Sequence, residues 1–428
     1  MMKSLFLVAL PLLFLIQPAR TQPPAATRFA VIGDFGLDGV PEADVAALVQ
    51  SWSPDFLITT GDNNYDYGAA ATIDANIGQY YHQFIFPYPG AYGQGDTVNR
   101  MFPSLGNHDW VAAGAQPYLD FFTLPGNERY YDHIVGNVHL FCIDSDPNEP
   151  DGTLSTSVQG QWLQSALAAS TARWKVVYFH HPPYSSGVVH GSTPEMQWPF
   201  REWGASVVLS GHEHDYERLI VNGFPYFVNG LGGRSLYTFG TPLPGSAVRY
   251  SDDYGAQLVT ADDDSMVFEF YSRTHALIDR YVIGAGARYA VHAGWNMVSL
   301  PLTVPDARGS LLYPTATSSL LAYDVTSGYA VRDTARNAEG YWLRFSSSQS
   351  VALPGLPRLQ ETFDVQAGWN LIGSIARAIL PDAIEQSPPG IVISRYIVFD
   401  MQYHAVDTLN PGKAHWVKVE RDGRLILH

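Results

Sequence analysis

At 428 residues, 46% hydrophobic and 15% charged, the chain has enough apolar material for roughly two or three packed domains and is not a disordered tail. Its 25 basic residues against 41 acidic ones, a formal −16, exclude holding nucleic acid or an anionic membrane by bulk charge. Its one cysteine, Cys142, excludes an internal disulfide and any cysteine-built zinc site.

Residues 1–21 read as a secretory signal peptide. Lys3 gives the basic end, Leu5 to Ile16 form the apolar run, and Pro18 to Thr21 close it. The run is too short for a membrane span, and no later stretch is long and apolar enough to cross a bilayer. The expected location is therefore secreted or periplasmic, the cell surface included.

Charge divides the remaining chain. Residues 22–288 carry 12 basic and 29 acidic side chains and ten of the 14 histidines, whereas residues 289–428 carry 11 basic and 12 acidic side chains. This predicts two units, with metal chemistry in the first. Apolar runs at 28–33, 56–61, 101–105, 138–144, 174–180 and 205–211 predict strands. Between them, 41–52 opens with Pro41 and early acids, and 159–170 has apolar residues at helical spacing. The alternation predicts an α/β domain with its ligands at the carboxyl ends of strands.

Chemistry clusters where those strands run out. Asp34 follows the first in GDFG, and Asp62 and Tyr65 follow the second in GDNNY. Asn107, His108 and Asp109 lie in GNHD, His180 and His181 in FHHPPY, and His212 and His214 in GHEH. Glycines precede Asp34, Asp62, Asn107 and His212, as sharp turns and close backbone approach require. Carboxylate, amide and imidazole donors without thiolate suit iron, zinc or manganese. The clusters offer more ligands than one ion uses. Asp62 could bridge two ions through its two oxygens, and a pair roughly 3.5–4 Å apart clamps a phosphoryl group. The metals would then stand in for a Lys/Arg clamp, which the sequence lacks. Glu217 and Arg218 read as a structural ion pair.

The second unit repeats itself. VHAGWNMVSLPL (291–302) recurs as VQAGWNLIGSIA (365–376), and GYWLRF (340–345) recurs as AHWVKV (414–419). Trp295 to Trp369 and Trp342 to Trp416 are both 74 residues apart. Two tandem β modules packed on each other are expected, at about 289–360 and 361–428.

The ordered set GDFG, GDNNY, GNHD, FHHPPY and GHEH resembles the calcineurin-like metallophosphoesterases, and Tyr65 narrows the resemblance to the purple acid phosphatases, the small tartrate-resistant type included. It covers about residues 28–283. The resemblance implies a β-sandwich flanked by helices, here followed by the all-β unit. It implies Fe(III) on Asp34, Asp62, Tyr65 and His214. It implies a second ion, Fe(II), zinc or manganese, on Asp62, Asn107, His180 and His212. His181 is the rival of His180, which its spacing to Pro182 favours. His108 and His190 would donate hydrogen bonds to phosphate or protonate the leaving oxygen, with Asp109 orienting His108. The activity implied is hydrolysis of phosphate monoesters by metal-bound hydroxide, with phosphodiesterase or nucleotide hydrolase chemistry as the alternative on the same fold. An alternative of another class is a surface-binding protein acting through the repeats, which resemble GWN-type β modules, by contact with glycan or cell surface. The small animal enzymes carry a disulfide that Cys142 alone cannot make.

Overall fold

The computed structural model describes residues 26–428, so the expected signal peptide lies outside the described residues. Strands β1 (Thr27–Ile32), β2 (Phe56–Thr59) and β3 (Met101–Pro103) run parallel. They share a six-stranded sheet with three later strands, in the order β13-β12-β11-β1-β2-β3, where β11 is Gly255–Ala261, β12 Ser265–Ser272 and β13 Leu277–Gly284. A seven-stranded sheet has the order β10-β8-β9-β7-β6-β5-β4. Its members are β4 (Tyr131–Val135), β5 (Val138–Cys142), β6 (Trp174–Tyr178), β7 (Val207–Ser210), β8 (Tyr216–Val221), β9 (Phe224–Asn229) and β10 (Ser246–Tyr250). Of these, β5, β6, β7 and β9 are parallel neighbours.

The unbroken apolar runs follow from burial on both faces. Leu140, Cys142, Val176, Tyr178, Val207 and Leu209 join Phe29, Val31 and Phe268 in the core between the sheets. The alternate residues Phe141, Val177 and Val208 point the other way and pack on Leu163 and Leu167 of the helix Val158–Ala169. Ser157 caps that helix by accepting from the Gly160 N–H. On the outer face of the first sheet, the helix Val40–Ser51 seats Val45, Leu48 and Val49. Cys142 is buried and unpaired.

The C-terminal region is rich in strands grouped in several small sheets. Two four-stranded sheets have matching order. One holds Gly294–Ser299, Gly340–Phe345, Leu320–Asp324 and Gly328–Arg332, and the other Gly368–Ile372, His415–Val419, Tyr396–Asp400 and Gln402–Val406. Their contacts are reciprocal: Val298 bridges Lys413 while its counterpart Ile372 bridges Glu339. Likewise Ser299 N–H donates to Gly412 and Gly373 N–H to Ala338. This exchange of partners is a local two-fold arrangement.

The repeated GWN has a physical cause. Gly294 and Gly368 take φ of 94° and 112°. Asn296 and Asn370 close the turns, each accepting from the backbone N–H four residues earlier and donating back to that residue's carbonyl.

Candidate metal centre

The carboxyl ends of β1, β2 and β3 in one sheet meet those of β6 and β7 in the other. Asp34 N–H donates to the Gly61 carbonyl and Gly211 N–H to that of His180, tying successive strand ends together. Asp34, Asp62 and His212 themselves take positive φ, at 54°, 53° and 71°. Such backbone is costly for a residue with a side chain and persists where the surroundings enforce it. Of the glycines that precede Asp34, Asp62, Asn107 and His212, Gly61 needs its φ of 89°, whereas Gly106 is small for clearance: a Cβ there would lie 2.2 Å from Asp62 Oδ1.

Two sets of donors converge. In the first, the Tyr65 hydroxyl lies 3.1 Å from Asp34 Oδ1, 2.9 Å from Asp62 Oδ2 and 3.2 Å from His214 Nε2. In the second, His180 Nε2 lies 3.0 Å from Asn107 Oδ1, 3.0 Å from His212 Nδ1 and 3.4 Å from Asp62 Oδ2. Asp62 Oδ2 belongs to both. Asp62 Oδ1 accepts the His108 N–H at 2.8 Å, and Oδ2 is the oxygen that faces both sets.

The donor set fits metal ions. Asp34, Asp62 and His180 offer ligand atoms within 4.8 Å of one another, as do His180, His181 and His212. Burial pushes the Tyr65 phenol up, and the Asp34 and Asp62 carboxylates push it further, so a phenolate needs a cation beside it. Burial alone would lower His180, but the Asp62 charge and hydrogen bond push it up to about 10. The same field that draws a proton there draws a metal. His212 is lowered by burial and by neighbouring histidines, which favours the neutral ring a metal needs.

Ring tautomers are set from outside. His180 Nδ1 meets the Thr60 carbonyl at 2.8 Å, and His214 Nδ1 meets Ser235 Oγ at 2.6 Å, leaving each Nε2 toward the centre. His214 also stacks on Tyr237 at 4.0 Å. His181 Nδ1 is taken by Ser145 Oγ at 2.8 Å. Burial and the His180 charge push His181 down to about 3.

Of the other expected residues, His108 borders the centre, its ring 4.4 Å from that of Tyr65, and its Nδ1 bonds the Asp66 carbonyl. His190 is exposed, and its ring stacks on His212 at 3.9 Å. Asp109 departs from expectation. Its carboxylate accepts from Gly106 N–H, Asn63 N–H and Asn63 Nδ2, so it braces the GNHD turn, and the Asp66 carbonyl orients His108. Burial, and then the Asp62 charge, push Asp109 up to about 7. Glu217 and Arg218 are not paired either. Neighbours on a strand face opposite ways, so Glu217 holds Ser186 and Ser246, while Arg218 pairs with Asp279 at 2.7 Å.

Sequence reasoning missed Ser235, Tyr237 and Arg234. They lie in the loop after β9, which carries no motif of its own. Arg234 sets its guanidinium 5.2 Å from the Tyr65 ring centroid, so a cationic side chain does stand at this centre.

Residues 27–216 match the calcineurin-like phosphoesterase family. The chain is 27% identical over 253 residues to purple acid phosphatase 17 of Arabidopsis thaliana, covering 51% of this chain and 72% of that protein. It is 28% identical over 269 residues to tartrate-resistant acid phosphatase type 5 of Rattus norvegicus, covering 53% and 79%. The structure of the purple acid phosphatase PPD1 from yellow lupin seeds shares the fold, with a TM-score of 0.50 and 16% identity over 60% of this chain and 53% of that one. The chain thus carries a calcineurin-like phosphoesterase domain. Proteins named purple acid phosphatase and tartrate-resistant acid phosphatase are among its homologues.

Proposed function

We propose that the protein is an exported, two-metal hydrolase of phosphate monoesters. The observation that supports this most is the single oxygen, Asp62 Oδ2, within 2.9 Å of the Tyr65 hydroxyl on one side and 3.4 Å of His180 Nε2 on the other. Asp34, Asp62, Tyr65 and His214 would hold the first ion, Fe(III) by analogy with the purple enzymes. Asp62, Asn107, His180 and His212 would hold the second, Fe(II), zinc or manganese. When bound, such a pair supplies charge for a phosphoryl group and acidifies water.

The chain's own residues do the rest. His108 commits Nδ1 to the Asp66 carbonyl, so Nε2, 3.9 Å from Asp62 Oδ2, is the nitrogen that gains and loses a proton. His190, stacked on His212, offers a second ring at the open side of the centre. Either ring can donate to a phosphate oxygen or to the departing alkoxide. Asp109 positions rather than reacts, because the turn it braces carries Asn107 and His108. Export rests on the character of residues 1–21. Purified protein should hydrolyse p-nitrophenyl phosphate faster than bis(p-nitrophenyl) phosphate from acid to neutral pH. The reverse order would make it a diesterase or nucleotide hydrolase, and inertness toward both would end the reading.

A second role is supported by the repeats. Trp295 and Trp369 are 43% and 38% exposed, although each belongs to a repeated motif. Each lines an aromatic cleft. One, of about 320 Å³, is formed by Trp295, Leu321, Tyr329, Trp342, Phe399 and Tyr403, and the other, of about 310 Å³, by Tyr323, Trp369, Ile397, Tyr403 and Trp416. Clefts this small take a sugar ring rather than a folded partner, and two equivalent ones suit a polymer of repeated units, such as a surface glycan. Trp295→Ala with Trp369→Ala should abolish retention on insoluble polysaccharide while ester hydrolysis is unchanged. Equal retention of the double variant would remove the clefts from any such contact.

A further inference from the structure

The active centre lies in a domain of strong negative charge, and its substrate is anionic. Arg234 is therefore the feature least explained by the fold. Its backbone N–H donates to the Asp34 carbonyl, which fixes the residue against the first donor set. Its guanidinium lies against the Tyr65 ring, 5.2 Å from the centroid, and is 34% exposed. Among the described residues it makes one side-chain hydrogen bond, from Nη2 to Asp66 Oδ1 at 2.8 Å. A guanidinium has five N–H donors in a planar fork, so most of this one remains uncommitted. Asp66 is itself about half exposed, and its carbonyl is the group that holds His108. Arg234, Asp66 and His108 thus form one rim of the centre over Tyr65.

We propose that Arg234 is a specificity-determining residue that favours phosphate monoesters over diesters. The inference rests on the reading of the centre as a phosphohydrolase and names the residue that chooses among its substrates. A monoester presents three non-bridging oxygens and carries nearly two negative charges at neutral pH, whereas a diester presents two oxygens and a single charge. A cationic fork at the rim meets the third oxygen and the second charge, and a diester puts its second ester arm there instead. The planar fork matters as well as the charge, because arginine grips phosphate through paired N–H donors and lysine as a point.

The test compares wild type, Arg234→Gln and Arg234→Lys, each loaded with metal and each checked for an unchanged melting curve. It reads kcat/KM for p-nitrophenyl phosphate and for bis(p-nitrophenyl) phosphate, and the Kd of inorganic phosphate by calorimetry. Arg234→Gln should lower monoester kcat/KM and phosphate affinity by about tenfold, as expected for a partly exposed charged hydrogen bond, while diester kcat/KM stays within about twofold. Arg234→Lys should fall between wild type and Arg234→Gln on all three. An unchanged monoester-to-diester ratio overturns the proposal, whether both rates hold or both fall together. So does unchanged phosphate affinity. A wild type inert toward both esters would instead refute the phosphohydrolase reading beneath it.

Discussion

Asp62→Asn should leave a folded protein that holds at most one metal ion and hydrolyses phosphate esters at least about a thousandfold more slowly, because a bound ion supplies several kcal/mol of transition-state charge stabilisation. The substitution keeps shape and volume, and an amide oxygen can still accept the His108 N–H that Asp62 Oδ1 accepts at 2.8 Å. It removes the charge that the two donor sets share through Oδ2. It also removes the carboxylate that holds the His180 imidazole up at about 10. The loss should therefore reach both sets at once, which no single ligand outside the overlap can do. Elemental analysis alongside a p-nitrophenyl phosphate assay reads both effects. Two ions retained with a rate within tenfold of wild type would show that Asp62 is not the shared ligand.

Tyr65→Phe should abolish the visible absorption of the iron-loaded protein, since the phenolate is the one donor in the set able to give a charge-transfer band. The ring is 3% exposed and will stay packed without its hydroxyl. The cost falls on Asp34 and Asp62, which each lose a hydrogen-bond donor. Stability should fall by about 1–3 kcal/mol, the penalty for buried polar groups left short of a partner. Difference spectra and thermal melts of the two proteins separate these effects. An unchanged spectrum would take Tyr65 out of the iron site and leave it as a packing residue.

Much of the catalytic domain was legible because its strands are buried on both faces. Continuous apolar runs such as FLIT and VVLS have no amphipathic alternation to blur, and each ends abruptly at a glycine or a polar ligand. The observed strands β1, β2, β6 and β7 stop one or two residues short of the expected ends, where the chain turns into Asp34, Asp62, His180 and His212. Local sequence could not show how remote segments divide one side chain's atoms. The motif GDNNY does not show that Asp62 Oδ1 accepts the His108 N–H from 46 residues away while Oδ2 faces both donor sets. Arg234 lies 168 residues from Asp66, so the cationic rim had no local signal. Asp109 adjoins His108 in sequence, yet the helical start at Asn107 turns its carboxylate back to Gly106 and Asn63. In the repeats, the 74-residue offset was readable, while the two-fold exchange of partners depends on contacts between modules.

The proposed chemistry requires Asp62 to be shared by two neighbouring ions. Anomalous diffraction from crystals of the purified full-length protein, with elemental analysis of the same sample, tests that requirement most directly. Two metal ions per chain are expected, one of them iron beside Tyr65 and His214, the other beside Asn107, His180 and His212, with Asp62 Oδ2 between them. One ion alone, or two that share no atom of Asp62, would contradict it.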